Sequence, residues 1–464
     1  MDATDLCFLS ADSQAAAVSS GDVSAVELVQ SVLDRIASTD PQINSYRVVL
    51  AEQALAEAEA LDAKGPSTDR PLHGVPVAIK DSVDVAGEIT SLGSAAKPTA
   101  ATIDSPVVQQ LRSAGAVIIG KTTCSELTVW PFTENETWGA TRNPWNHDFS
   151  AGGSSGGSGA AVAAGLCSLA LGSDGLGSIR VPAGFNGVVG LKPQRGRVHH
   201  SDGNWHGLSV NGPIARSVAD TALFLDATAS DLPEGGFRHA LREPAAPLRI
   251  AMSMKPMVDY PISARLGDEE RLAVLRTADA LQSLGHTVVE HRLRFSRKGP
   301  NNGMIRYLAG IADDFDNVEF SDRITKRTAA MARYGRMIPD RVLQSALRDE
   351  ASIAEQLNQV FDTFDLVLTP GAVEGPTKIG ELDRRSAMQT LRISGKRIPH
   401  YGIWNVVGQP AMSIPAGFSA AGLPLSAHFA AKPHDELTLM KVGAQLEQAQ
   451  PWEPWRGETT KPRI

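Results

Sequence analysis

The chain has 464 residues and a formal net charge of −8 at pH 7, and 21% of its residues are charged. This mildly acidic balance, without a block of like charge, argues against a nucleic acid or an anionic membrane surface as the main partner. A chain of this length buries a large core without help from disulfides or metals. The three cysteines, Cys7, Cys124 and Cys167, are widely spaced, which argues against a disulfide framework and against a cysteine-based zinc site.

The first five residues, Met1–Asp5, are acidic where a signal peptide would be basic, and no apolar region follows them. The longest weakly polar stretch, residues 159–172, is too short to span a bilayer. We therefore expect a cytoplasmic protein. For its assembly, we expect a monomer or a homodimer.

The first part of the chain alternates helix and strand signals. Ser24 is followed three residues later by Glu27, the capping-box pattern of a helix start. Apolar periodicity and buried runs predict helices over 24–36, 49–64 and 106–114 and strands over 74–81 and 116–119. The strand over 74–81 ends in Lys80 and Asp81.

The rest of the chain divides by composition. Residues 138–197 are rich in Gly and Ser, whereas 240–355 is more charged and predicts long helices over 268–284 and 340–361. Strand-like runs return at 365–370 and 411–415. Helices alternating with strands favour an α/β/α sandwich. Because the late strands look like partners of the early sheet, we expect one domain over 1–464. Within it we expect N-terminal helices in 1–65 and a variable helical segment near the substrate entrance in 240–355.

Two familiar motifs occur in the wrong context. Residues 115–122 match the P-loop string G-x-x-x-x-G-K-[ST], but the four residues between the glycines read as a strand rather than a phosphate-binding loop. The pattern G-x-S-x-G is centred on Ser154 and again on Ser155, yet no apolar strand precedes it, as a nucleophile elbow requires. Neither motif predicts function here.

A different combination carries the chemistry. Two turns rich in Gly and Ser, 152–158 and 172–178, flank a small-residue helix predicted over 160–166, and Lys80 stands at a strand end. One such turn is typical of a serine N-cap, but two with a lysine call for another explanation. These segments resemble the amidase signature family. The resemblance includes 79–81, 120–122, Glu126, 152–190, 188–193, 196–198, Asn405, Gly408, 410–411, 413–415 and 422–424.

The resemblance implies an α/β/α sandwich with a large central mixed sheet and a Ser-Ser-Lys hydrolase. It assigns the nucleophile to Ser178, the bridging serine on a cis peptide to Ser154, and the base to Lys80. It also assigns support of the lysine–serine network to Ser155. Asp174 and Arg180 flank the nucleophile, and we expect them to pair and hold the turn in shape.

The chemistry agrees with that assignment. A serine hydroxyl is a weak nucleophile until a base removes its proton, and a lysine whose pKa is lowered by burial serves as that base. The backbone amides of Gly175, Leu176, Gly177 and Ser178 are candidates for the oxyanion hole. We expect an amidohydrolase that forms an acyl-enzyme on Ser178, without metal or organic cofactor.

The substrate is less defined. Leu176 stands where the family usually has glycine and adds bulk beside the oxyanion hole. Trp130, Phe132 and Trp404 are candidate cleft walls, with core packing as the alternative, and residues 329–334 form either a lid or a surface helix. An apolar cleft favours an acyl-arylamide or alkylamide, and the resemblance extends to carbamates (urethanes) and esters.

Two other function classes are alternatives to this one. An amidotransferase subunit, which releases ammonia from glutamine or asparagine beside a partner, resembles the same family. A catalytically inactive binding homologue would lack Lys80, Ser154 or Ser178, and all three are present.

Overall fold

The structure is a computed structural model that describes residues 3–65, 67, 69–200, 204–255, 264–293, 298–452 and 454–457. The strands are β1 (Tyr46–Val49), β2 (Pro76–Lys80), β3 (Val117–Thr122), β4 (Glu134–Asn135), β5 (Gly139–Ala140), β6 (Arg142–Asn143), β7 (Asn146–Ser150), β8 (Leu169–Asp174), β9 (Val189–Lys192), β10 (Val210–Ala215), β11 (Arg249–Met252), β12 (Thr287–Glu290), β13 (Leu366–Pro370), β14 (Ala411–Phe418) and β15 (Pro424–Ala431).

The helices are α1 (Ala3–Phe8), α2 (Ala11–Ser20), α3 (Ala25–Ile43), α4 (Ala51–Lys64), α5 (Pro106–Ser113), α6 (Gly156–Ala163), α7 (Arg180–Asn186), α8 (Val218–Thr228), α9 (Gly236–Ala240), α10 (Asp268–Ser283), α11 (Lys298–Asp316), α12 (Lys326–Arg336), α13 (Asp340–Asn358), α14 (Ala387–Gly395), α15 (Gly402–Val406) and α16 (Glu436–Ala449). Short 3-10 turns lie at Glu126–Thr128, Ser321–Arg323 and Gln359–Asp362.

Eleven strands of the described residues form one sheet in the order β1-β3-β2-β8-β10-β9-β14-β15-β13-β11-β12. The pairs β2–β3, β2–β8, β11–β12 and β11–β13 are parallel, and the other neighbours are antiparallel. The sheet is therefore mixed. Short strands β4–β5 and β6–β7 form two separate ribbons.

Alternate residues of the strands enter hydrophobic clusters on opposite faces of the sheet. In β2, Val77 and Ile79 pack in one cluster with residues of α5, α8 and α16, whereas Ala78 packs in another with residues of α3, α4 and α6. This is the period of two expected for a strand that is covered on both faces. The expected α/β/α sandwich with a large central mixed sheet is confirmed.

Two local expectations need correction. The small-residue helix α6 begins at Gly156 rather than at residue 160. The segment 240–355 is mainly helical, but it also supplies β11 and β12, which lie at one edge of the sheet. These two strands have only four residues each, too few for a periodicity signal. Residues 256–263 and 294–297 of this segment lie outside the described residues.

The P-loop-like string is a strand here, as its sequence context predicts. Residues 117–122 belong to β3, and Lys121 is fully buried, with its Nζ 3.0 Å from Asp81 Oδ1. In the described part of the chain, no helix is both long and apolar enough to cross a bilayer.

Candidate active site

Lys80 is the last residue of β2, and its side chain is fully buried. Its Nζ lies 2.7 Å from Ser154 Oγ, 2.8 Å from Ser173 Oγ and 3.4 Å from the Ser173 carbonyl oxygen. Burial lowers the pKa of Lys80 to about 8, against the opposing influence of Cys124 and Asp174. A substantial fraction of the amine is thus neutral near physiological pH, which a proton acceptor requires.

Ser154 follows a cis peptide bond between Gly153 and Ser154. The turn needs glycine at position 153 because a Cβ there would lie 2.6 Å from the Phe132 nitrogen and the Trp130 carbonyl oxygen. The Ser154 carbonyl accepts a hydrogen bond from the Ser125 amide at 3.2 Å. The side chain is therefore held in the interior, where it faces Lys80.

Ser178 lies in the turn between β8 and α7 and is partly exposed, whereas Ser154, Ser155 and Ser173 are buried. Its carbonyl oxygen accepts a hydrogen bond from the Ser155 amide at 3.3 Å. This bond joins the two Gly/Ser turns. The structure thus brings Lys80, Ser154 and Ser178 into one region, and of the three only Ser178 is open to solvent.

Sequence reasoning missed Ser173, which contacts Lys80 directly. Ser155, the residue expected to support the network, instead donates its hydroxyl to the Ser173 carbonyl at 3.2 Å and accepts from the Ser173 amide at 3.4 Å. It therefore acts on Lys80 only through Ser173. Ser173 reaches Lys80 because β2 and β8 are parallel neighbours and their carboxyl ends meet at one edge of the sheet. This strand pairing is not visible in the sequence.

Asp174 and Arg180 form a fully buried, bidentate ion pair, with Nε–Oδ2 at 2.9 Å and Nη2–Oδ1 at 3.0 Å. Burial alone would raise the pKa of Asp174, but the Arg180 charge and its hydrogen bonds outweigh it and hold the pKa below the usual range. The carboxylate also accepts the amides of Gly177 at 2.6 Å and Ile179 at 3.1 Å. The pair therefore shapes the turn that carries Ser178.

Two residues from the C-terminal part complete this network. Asn405 accepts from Arg180 Nη2 at 2.7 Å and donates to Asp174 Oδ1 at 2.9 Å. His428 Nε2 lies 3.0 Å from Arg180 Nη1, and its Nδ1 lies 3.0 Å from Thr369 Oγ1. Because Arg180 has only donors, Nε2 accepts and Nδ1 carries the proton. Burial lowers the pKa of His428 well below the usual value, with the Arg180 charge adding to the effect.

The oxyanion-hole expectation changes in one respect. The Gly177 amide already donates to Asp174, so it is not free to bind a developing oxyanion. The amides of Gly175, Leu176 and Ser178 are not among those that the Asp174 carboxylate binds. These three amides therefore remain candidates for the oxyanion hole.

The expected cleft walls lie in the interior. Trp130, Phe132 and Trp404 are at most 2% exposed and belong to a hydrophobic cluster with α11 and α12. Trp130 and Phe132 stack at 5.9 Å, and Trp130 Nε1 donates to Thr328. Core packing describes them in this structure, and their contact with a substrate stays a prediction. Residues 329–334 belong to α12.

The described residues contain no group of three or more His, Cys, Asp or Glu side chains arranged to hold a metal ion. The side chains that converge here are hydroxyls, one amine and a buried ion pair. This set suits proton transfer and nucleophilic attack.

Comparisons with known proteins identify the family. The family model described as Amidase matches residues 27–440. Among curated proteins, a putative amidase, AmiB2, of Mycobacterium tuberculosis is 47% identical and covers 97% of this chain and 98% of its own. A glutamyl-tRNA(Gln) amidotransferase subunit from a Synechococcus species is 34% identical, with 93% and 94% covered.

Solved structures give the same picture. A 6-aminohexanoate cyclic dimer hydrolase complexed with substrate has a TM-score of 0.89 at 31% identity, and covers 98% of this chain and 99% of its own. A bacterial aryl acylamidase of the amidase signature family has a TM-score of 0.83 at 25% identity, with 96% and 97% covered.

Proposed function

The chain belongs to the amidase family and is a hydrolase that acts on the carbon–nitrogen bonds of amides, and on that premise we propose that it cleaves an acyl-arylamide or alkylamide through an acyl-enzyme on Ser178. The observation that carries the proposal is the 2.7 Å hydrogen bond between Lys80 Nζ and Ser154 Oγ, in the interior beside a partly exposed serine. This hydrogen bond would let Ser154 relay the proton of Ser178 to Lys80.

In the proposed reaction, Ser178 Oγ attacks the amide carbonyl carbon. Its proton passes to Ser154 Oγ, and the Ser154 proton passes to the neutral amine of Lys80. The proton then returns along the same path to the leaving nitrogen, and the carbon–nitrogen bond breaks. Water hydrolyses the resulting ester on Ser178 by the reverse use of the same groups.

The developing oxyanion needs donors that are already in place. We assign this role to the amides of Gly175, Leu176 and Ser178, since the Gly177 amide is engaged by Asp174. The buried Asp174–Arg180 pair supports the assignment because it fixes the turn from its inner side.

Leu176 supports an apolar acyl group. Its side chain is partly exposed beside Ser178, and its Cδ2 lies 3.7 Å from the Cβ position of Gly303 and 3.2 Å from that of Gly402. Glycine at both facing positions makes room for the leucine. Similarity to an aryl acylamidase and to a 6-aminohexanoate cyclic dimer hydrolase supports small amides as substrates. Carbamates and esters, with better leaving groups, fit the same chemistry.

A second candidate function is that of an amidotransferase component, favoured by the 34% identity to the glutamyl-tRNA(Gln) amidotransferase protein of Synechococcus. In that case glutamine or asparagine would be the amide, and ammonia would pass to a partner. The leucine at position 176 favours the first candidate, since it lines the turn with an apolar side chain.

The test compares purified wild type, Ser178→Ala and the matched surface variant Ser352→Ala on an acylanilide, an aryl carbamate, an aryl ester and glutamine. We expect wild type and Ser352→Ala to cleave the acylanilide equally, and Ser178→Ala to lose at least about a thousandfold in kcat. Activity on glutamine alone would favour the amidotransferase. Full activity of Ser178→Ala would overturn the serine mechanism.

A further inference from the structure

The ring of Trp205 packs between helix α11 and residues 175–178, the turn that carries the candidate oxyanion amides and is called the oxyanion turn below. A Cβ placed on Gly175 would lie 2.8 Å from Trp205 Cε3, and one placed on Gly310 of α11 would lie 2.6 Å from Cδ1. Both glycines therefore allow direct contact between the indole and the backbone. Trp205 is 7% exposed, so its side chain is almost completely buried between the two.

Helix α11 holds the turn around Trp205 by side chains on one face. Trp205 Nε1 donates to Asp314 Oδ2 at 2.7 Å, and Arg306 donates to the His206 carbonyl oxygen from Nη2 at 2.7 Å and Nε at 3.0 Å. Arg306, Gly310 and Asp314 are spaced four residues apart, which places them on one side of the helix. Asp314 thus binds the indole nitrogen and Gly310 packs against the ring. Arg306 holds the backbone of the next residue, His206.

The backbone of this turn would not hold its shape alone. Trp205 and His206 have φ angles of +50° and +54°, a left-handed conformation that side chains other than glycine rarely adopt. Such conformations persist where surrounding contacts impose them. The contacts from α11 impose this one, and they aim the indole at Gly175.

The far end of the turn also reaches the catalytic region. The Leu208 carbonyl accepts from Asn405 Nδ2 at 3.2 Å, and the same nitrogen lies 2.7 Å from the Asp174 carbonyl oxygen. Asp174 immediately precedes Gly175 in the oxyanion turn. The side chain of Asn405 therefore links the start of the oxyanion turn to Leu208, at the end of the turn that contains Trp205.

From these contacts we infer that Trp205 is a positioning residue, which holds the Gly175 amide in the oxyanion hole and transmits the support of α11. The inference rests on the proposed function, since it assigns the Gly175 amide to the oxyanion. Trp205 acts through the backbone of Gly175 rather than on the substrate. Loss of the ring leaves an empty space behind Gly175 and lets the amide move away from the reacting oxygen.

The test measures the rate at which an alkyl fluorophosphonate labels Ser178, with intact-protein mass as the readout. Ser178 Oγ attacks phosphorus, the phosphorus–oxygen bond forms, fluoride leaves, and the serine proton passes through Ser154 to Lys80. The phosphoryl oxygen occupies the oxyanion site, so the rate reports that site without requiring the natural amide. Variants are Trp205→Ala, Trp205→Phe, Asp314→Ala, Asp314→Asn and the matched control Trp138→Phe, on a half-exposed ring.

We expect Trp205→Ala to slow labelling by about tenfold to a hundredfold. This effect is no larger than the one expected when an oxyanion-hole donor is removed altogether. Asp314→Asn keeps an acceptor for the indole and should slow labelling by no more than about threefold. Trp205→Phe keeps a ring behind Gly175 but loses the bond to Asp314, so its rate should lie between those of wild type and Trp205→Ala. Asp314→Ala should fall below Asp314→Asn, and Trp138→Phe should equal wild type. With an anilide substrate, kcat should fall while KM stays unchanged.

Equal labelling of wild type and Trp205→Ala would overturn the inference, as would a rise in KM with kcat unchanged, which describes a binding wall. If Trp205→Ala fails to fold, the Asp314 pair decides: equal rates for Asp314→Ala and Asp314→Asn overturn the inference. Wild type that is not labelled on Ser178 refutes the proposed function, and this inference with it.

Discussion

Lys80 Nζ lies 2.8 Å from Ser173 Oγ, almost as close as it lies to Ser154 Oγ. The lysine is therefore held between two hydroxyls, one on each of two converging segments. Ser173 is in turn held by Ser155 through its backbone amide and carbonyl. This arrangement fixes the direction of the amine, which proton transfer to and from Ser154 depends on.

We expect Ser173→Ala to reduce kcat by about tenfold, because the loss of one hydrogen bond to Lys80 is worth about 1.4 kcal/mol of positioning. Ser173→Thr keeps the hydroxyl and should recover at least about half of the lost activity on a logarithmic scale. Steady-state kinetics on an acylanilide measure both. A kcat of Ser173→Ala equal to that of wild type would show that Ser154 alone orients the lysine.

The pH dependence follows from the base. Burial lowers the pKa of Lys80 to about 8, and only the neutral amine accepts a proton. The protonated form dominates below this pH, so kcat/KM should rise about tenfold per pH unit below 8 and level off above it. Burial lowers the pKa of His400 to about 3 and the pKa of His428 well below its usual value.

The measurement is a kcat/KM profile for wild type from about pH 5.5 to about pH 9.5 at constant ionic strength, which brackets the titration of the base. Lys80→Ala removes the base, and any residual hydrolysis should lack the rising limb. A wild-type profile that is flat between about pH 6 and about pH 9 would contradict lysine as the base.

Short, distinctive segments of the sequence indicated the candidate residues Lys80, Ser154 and Ser178 through their resemblance to the amidase signature family. Lys80 ends an apolar strand, and the residues around Ser154 and Ser178 are glycine-rich turns where bulky side chains would clash. Gly157 is one example, since a Cβ there would lie 2.4 Å from the Ser45 carbonyl oxygen. Such requirements are visible in the residue types themselves.

The remaining features depend on contacts between distant parts of the chain. Asn405 and His428 are separated from Arg180 by 225 and 248 residues of sequence. An asparagine or a histidine alone does not indicate that it will bind a distant arginine. Strands β11 and β12 are too short to show a period. The sequence also does not decide whether Trp130 and Trp404 line a cleft or pack in the core, because aromatic side chains occur in both places.

The buried ion pair of Asp174 and Arg180 predicts a large effect on stability. Asp174→Asn keeps the shape but leaves the Arg180 charge fully buried without its counter-charge, which should lower the free energy of unfolding by about 3–5 kcal/mol. Denaturant unfolding measures this, and the matched control is Asp316→Asn, whose half-exposed pair with Arg336 should contribute nothing measurable. Because Asp174 also binds the Gly177 amide, activity should fall together with stability. A loss of less than about 1 kcal/mol would show that Asn405 and His428 suffice to hold the guanidinium.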